Sequence, residues 1–255
     1  MLAALAASAV FGAGAEPASM PRTYLELKTW RLHNTREDQT ARVADYLENG
    51  LAPSLARAGA KFAGAFSNVI APDGPSYVTL TEYPSIATIE DTFTKLSNDD
   101  AHQHELDKLC SGPGLPFVRF DSSLLRSFDR VPHAVIPPAG ERRAPRIFEL
   151  RTYESQSFTT LARKIAMFNN AEIALFERLG MRPVFFGETL IGPKQPSLIY
   201  MLSFDSLAAR EDLWHAFGTD PEWKKVSSQP QLKDSEIVVN ISNAILRPLT
   251  FSPIR

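Results

Sequence analysis

Tyr24-Leu-Glu-Leu-Lys-Thr-Trp30 and Ile147-Phe-Glu-Leu-Arg-Thr-Tyr153 are two versions of one heptapeptide within a single chain. Glu, Leu and Thr are identical between them, and Lys/Arg and Trp/Tyr are conservative exchanges. A second block, Pro75 to Asp100, aligns without a gap on Pro196 to Pro221, matching Pro-Ser, Glu90-Asp91 with Glu211-Asp212, and Asp99 with Asp220. Gly59 and Gly180 fall into the same register. Similarity that holds one register across several elements reads as an internal duplication.

Each copy reads β-α-β-β-α-β. In the second, residues 146–153 alternate as a strand, and Leu161, Ile165, Phe168, Leu175 and Leu179 recur at helical spacing until Gly180. Two β-rich runs follow, 181–191 and 197–204, then a helix opened by Ser206 and running to about Ser228, then a strand over 236–246. The first copy repeats the order: strand 23–30, helix 38–58, strands 61–70 and 76–83, helix 85–109, strand 117–126. This is the split β-α-β pattern of ferredoxin-like domains. Such a sheet carries both helices on one face and leaves the other uncovered, so two in one chain can bury each other. The expected fold class is α+β: two tandem ferredoxin-like (βαββαβ) domains packed as an intramolecular dimeric α/β barrel. The expected boundaries are a signal segment over 1–20, a degenerate first domain over 21–128, a proline-rich linker over 129–145 and a second domain over 146–255.

The chain has 255 residues, 44% hydrophobic, 22% charged and 10% aromatic, which fits a globular protein rather than a disordered or disulfide-framed one. Lys plus Arg number 27 against 29 Asp plus Glu, so no basic excess is available to track a phosphate backbone, and nucleic acid is not expected as a partner. The lone Cys110 excludes an internal disulfide and any multi-cysteine metal site. Residues 2–11 are almost wholly apolar and are followed by the small-x-small Ala13-Gly14-Ala15, which resembles the tail of a bacterial export signal. No Lys or Arg precedes Arg22. The expectation is an exported or periplasmic protein, with a cytoplasmic one as the alternative if translation starts at Met20. No apolar run is long enough to span a bilayer.

The second copy resembles the NIPSNAP family. The similarity lies in the opening strand 147–153, in Ala171 to Gly187 with Gly180 at its turn, and in Phe204-Asp-Ser-Leu-Ala-Ala-Arg210 leading to Phe217-Gly-Thr-Asp-Pro-Glu-Trp223. The first copy departs from it: Ile89 replaces Arg210, and Asp99-Asp100-Ala101-His102 replaces the Asp-Pro-Glu-Trp run. The resemblance implies a dimeric α/β-barrel fold shared with cofactor-independent monooxygenases and haem-handling barrels. It transfers no agreed catalytic residues, and eukaryotic members are known mainly through protein interactions.

Motif searches give little chemistry. His102, His104 and Glu105 read as an exposed helix face, since helical side chains two apart diverge. Cys110 reads as an idle thiol, and His215 as one member of a surface pair with Glu211. Trp214 and Phe217 share a helix face and read as core. No cofactor or metal site is expected.

Strand alternation supplies the site candidates. Leu25, Leu27 and Thr29 share one face of the first strand, and Phe148, Leu150 and Thr152 match them in the second copy. The smaller apolar set is expected under the helices, which sends Glu26, Lys28, Trp30, Glu149, Arg151 and Tyr153 into the barrel interior. There they would form either an ion-pair lattice or the lining of a ligand pocket. Two functions remain: a non-catalytic module binding a small molecule or a protein, or a cofactor-independent monooxygenase- or isomerase-like enzyme with its pocket inside the barrel.

Overall fold

A computed structural model describes residues 21–33, 36, 38–136 and 146–255. The leader-like residues 1–20 and the linker residues 137–145 lie outside these. The first half contains β1 (Tyr24–Arg31), β2 (Lys61–Ile70), β3 (Ser76–Tyr83) and β4 (Arg119–Ser127), and the second β5 (Ile147–Glu154), β6 (Arg182–Ile191), β7 (Ser197–Phe204) and β8 (Asn240–Pro248). The eight strands close into one antiparallel barrel in the order β1-β3-β2-β8-β5-β7-β6-β4. Each half contributes a 4-1-3-2 sheet, and the halves join edge to edge. β2 pairs with β8 from Phe66↔Pro248 onward, and β4 pairs with β6 from Leu124↔Ile191 onward. Closure leaves no unpaired edge, the feature that otherwise invites association of sheets.

The helices repeat as the strands do. In the first half they are α1 (Gln39–Asp45), a π-helical turn (Tyr46–Leu51), α2 (Ala52–Ala58), α3 (Ile86–Ser97) and α4 (Asp100–Cys110). In the second they are α5 (Phe158–Met167), a π-helical turn (Phe168–Glu172), α6 (Ile173–Leu179), α7 (Leu207–Thr219), α8 (Pro221–Ser227) and the short α9 (Asp234–Ile237). Ser85 and Ser206 cap α3 and α7 by accepting from Thr88 N and Ala209 N. Gly59 and Gly180 end α2 and α6 at φ 94° and 87°, a left-handed conformation that favours glycine. The single long helices expected over 85–109 and 206–228 are each broken in two. Asp99 and Asp220 stand at the breaks, accepting from His102 N and from Glu222 N and Trp223 N to start a new helix. Pro221 adds a second reason for the break in the later half. His102 is buried against Tyr46, its ring 5.9 Å from the tyrosine's, not on an exposed face as its sequence suggested.

The barrel interior is apolar, and both halves fill it. Leu25, Leu27, Phe66, Val78, Leu80 and Leu125 meet Phe148, Val184, Phe185, Ile199, Met201 and Leu246 in one buried cluster, with Phe66 and Phe148 4.9 Å apart. The expected orientation of the strands is therefore inverted. Glu26, Lys28, Trp30, Glu149, Arg151 and Tyr153 face the helices, and the smaller apolar set faces inward. An eight-stranded barrel is just wide enough to be filled by side chains, with no room for charges and the water or partners they need. Beneath the helices those partners exist. Trp30 packs with Val43, Tyr46, Leu47 and Leu109, and Tyr153 with Leu161, Phe168 and Tyr200.

Two segments cross the same end of the barrel, where β1, β2, β5 and β6 begin. Residues 129–136, expected as part of a linker, run across it as a strap. Pro132 O accepts from Thr23 and Ser127, Val135 N donates to Val184 O, and Ala134 and Ile136 join the interior cluster. The C-terminal segment does the same from the other side, inserting Ile254 while Ser252 Oγ accepts from Ala65 N.

Candidate functional site

Glu149 is fully buried on the helix-facing side of β5 and accepts five hydrogen bonds. Oε1 receives Arg151 Nη1 at 2.8 Å, Arg210 Nη2 at 2.6 Å and Asn243 Nδ2 at 3.0 Å. Oε2 receives Arg210 Nε at 2.9 Å and Trp214 Nε1 at 2.7 Å. Register explains the convergence. Arg151 is two residues along the same strand, Asn243 lies opposite Arg151 on β8, and Arg210 and Trp214 are one turn apart on α7. Burial alone would push the Glu149 carboxyl up, but Arg210, Arg151, Asn243 and Trp214 together hold it below the usual carboxylate range. It is ionised and its lone pairs are taken.

The network continues along the sheet. Arg151 Nη2 donates to Tyr153 Oη at 3.2 Å, Tyr200 Oη donates to the same oxygen at 3.0 Å, and the Arg151 guanidinium lies 4.5 Å over the Trp214 ring. Burial keeps the Tyr200 phenol protonated far above its ordinary range. On the other side of Tyr153, Lys164 of α5 is buried among Tyr153, Phe168 and Trp223, with Nζ 3.1 Å from Glu172 and 3.4 Å from Asp234. Complete burial pushes the Glu172 carboxyl up, opposed by Lys164.

The equivalent place in the first half is thinner. Glu26 Oε1 accepts from Ser122 Oγ at 2.6 Å and pairs with Lys28 Nζ at 3.2 Å, and Oε2 accepts from Tyr83 Oη at 3.1 Å. Ile89 and Phe93 of α3 hold the positions of Arg210 and Trp214, and Phe93 is half exposed.

The six sequence candidates thus gather into two places related by the pseudo-twofold, neither of them inside the barrel. Sequence reading missed Arg210, Trp214 and Asn243 as partners of Glu149, because they come from elements 61 to 94 positions away. Lys164 left a signal: it lies three residues after Leu161 and four before Phe168, a charge on the apolar stripe of its helix.

The strapped end of the barrel carries a different kind of site, a cleft of about 950 Å³ between the strap and the start of β6. Phe148, Met181, Val184, Val131, Ala134 and Ile254 form an apolar floor. Lys61, Arg130, Arg146 and Arg182 line it against a single lining carboxylate, Glu177. Glu82 and Asp205 lie beside it and are each shared, Glu82 between Lys61 and His133, and Asp205 between Arg146 and Arg182. Its size and apolar lining match those of small-molecule sites. Among the described residues no group of three metal-ligating side chains is present, and no helix is long and apolar enough to cross a membrane.

Comparison with known proteins finds a family match within the second half. Residues 148–253 match the NIPSNAP family model. An uncharacterised NIPSNAP-like domain protein from Burkholderia xenovorans is 26% identical over 42% of this chain and 89% of its own, with a TM-score of 0.37. Two structures named "putative monooxygenase" resemble the whole barrel, one from Fusobacterium nucleatum and one from Lactobacillus acidophilus. The first has a TM-score of 0.59 at 10% identity, covering 90% of this chain and 93% of its own. The second has a TM-score of 0.59 at 8% identity, covering 89% and 94%. At that identity the likeness establishes the fold alone. No curated protein matches the chain.

Proposed function

We propose that this chain, a NIPSNAP domain completed into a closed barrel by a first half of the same topology, is a non-catalytic small-molecule-binding module with its site at the strapped end. The observation that carries the reading is the saturation of Glu149. A general base needs a free lone pair within reach of a substrate proton, and this carboxylate spends its lone pairs on Arg151, Arg210, Trp214 and Asn243. The polar network is then a scaffold that locks α7 to the sheet. The enzyme alternative asks for a pocket inside the barrel, and that space holds Phe66, Phe148, Phe185 and their neighbours. The cleft at the strapped end has the size, the apolar floor and the convergent polar rim that the interior lacks.

Mass spectrometry of the natively purified protein tests this reading. A retained small molecule, released on denaturation, is the expected result. A protein that retains nothing and is stabilised by no member of a chemically diverse metabolite panel would overturn it.

A further inference from the structure

The space under the helices is filled differently in the two halves, and the difference is a set of three side chains. Val43 of α1 and Leu51, the last residue of the first π-helical turn, belong to the hydrocarbon packed with Trp30, Tyr46, Leu47 and Leu109. The register that joins Gly59 to Gly180 puts Lys164 at the place of Val43 and Glu172 at that of Leu51. The same register carries Pro113 to Asp234 and Leu109 to Pro230. The three charged residues are thus absent together from one copy and present together in the other. The first half shows that the fold needs none of them. A buried ion pair gives no stability that well-packed hydrocarbon does not, so another reason for the set is required.

The three meet at one nitrogen. Lys164 Nζ lies 3.1 Å from Glu172 Oε2 and 3.4 Å from Asp234 Oδ1. The Lys164 and Glu172 side chains are 1% and 2% exposed, and the rings of Phe168, Tyr153 and Trp223 stand 5.0, 5.4 and 5.5 Å from Nζ. Asp234 is half exposed on the four-residue α9, within a run from 228 to 236 that is exposed throughout except for the half-buried Leu232. Burial alone would lower the Lys164 ammonium, and Glu172 and Asp234 hold it above its usual range. Burial pushes the Glu172 carboxyl up, which makes it a better acceptor for the proton that Lys164 must lose to become a nucleophile.

We propose that Lys164 and Asp234 condense into an intramolecular isopeptide bond, with Glu172 as the proton shuttle. Glu172 Oε2 takes one proton from the ammonium, and the freed Nζ lone pair attacks Cγ of Asp234. The new N–C bond replaces a C–O bond. The proton on Glu172 and a second from the nitrogen leave with the Asp234 oxygen as water. An ammonium and a carboxylate become one neutral amide, Glu172 is regenerated, and no oxidant or further reactant enters. Two features favour the step. The ring-lined surroundings of Nζ disfavour the charged pair relative to the neutral amide, and fixed proximity supplies a high effective concentration. The product staples α9 to α5 across 70 positions of chain. It fastens an exposed run that lacks the Leu109 anchor of the first half. The inference is independent of what the cleft binds.

Peptide mapping of the purified full chain by mass spectrometry tests it. The expected product is a branched peptide joining the Lys164 and Asp234 segments, lighter than their sum by one water and accumulating on storage at neutral pH. Asp234→Ala, at an exposed position, should fold and abolish the product. Glu172→Gln should slow its accumulation about 100-fold or more, the scale of general acid–base assistance. Free Lys164 and Asp234 throughout, in fresh and stored protein alike, would overturn the proposal. A branched peptide that accumulates unslowed in Glu172→Gln would overturn the shuttle assigned to Glu172. Should Glu172→Gln fail to fold, the native chain compared with Asp234→Ala still decides whether the bond exists.

Discussion

Glu26 and Glu149 hold the same place in strands of the same register, yet one is three-quarters of a network and the other a sealed one. Glu149 has two guanidiniums, an indole and an amide; Glu26 has an ammonium, a phenol and a hydroxyl. The difference comes from the helix overhead. α7 lowers Arg210 and Trp214 onto its carboxylate, whereas α3 presents Ile89 and Phe93, which can donate nothing. A buried charge persists only with partners, so the half that lost its helix donors leaves its acid less deeply covered, at 14% side-chain exposure against 0%. The same sheet carries two electrostatic solutions, and depth of burial follows the number of donors.

The largest effect expected from this comparison concerns the halves themselves. Residues 146–255 alone would expose the edges of β6 and β8 and the inward face of Phe148, Leu150 and Met201. They should dimerise or aggregate on size-exclusion chromatography with light scattering. A stable monomer would mean that the second half does not need the first.

Next come paired substitutions. Glu149→Leu strands the Arg151 guanidinium in a buried place and should cost about 3–5 kcal/mol in urea unfolding. Glu26→Leu breaks a shallower pair and should cost about 1 kcal/mol. Equal losses would erase the distinction between the two networks. Arg151→Met discriminates further. A fall in stability marks the network as scaffold, whereas unchanged stability with loss of a retained ligand would place binding there.

Acid should reveal the same asymmetry. The Glu149 carboxyl titrates below its unfolded value, so its contribution is complete above the ordinary glutamate pKa of about 4.3 and fades as pH falls through the lower folded value. Unfolding midpoints measured from pH 7 to pH 3 should therefore drop more steeply for the native protein than for Glu149→Gln. Parallel curves would show that Glu149 is not held ionised by its donors.

The smallest effect sharpens the comparison by rebuilding it. Ile89→Arg with Phe93→Trp gives Glu26 the donors that α3 lacks and should stabilise the chain by up to about 1 kcal/mol. A double-mutant cycle with Glu26→Gln shows whether the gain passes through that carboxylate.

The heptapeptides at Tyr24 and Ile147, the aligned helix caps and the paired glycines were enough to read two βαββαβ units and their common barrel, because local signals of turn, cap and period survive in each copy. Alternation separated Glu26, Lys28 and Trp30 from Leu25 and Leu27 with the right partition. It could not say which set faces inward, since a strand's period defines two faces without labelling either. The label was set by tertiary structure. Edge-to-edge closure made a narrow interior that only apolar side chains could share, and α7 brought Arg210 and Trp214 across more than sixty positions to the one carboxylate that needed them. The strap over the barrel end and the cleft beside it were likewise out of reach of the sequence, because a proline-rich run states that the chain leaves a helix or strand, not where it lies next.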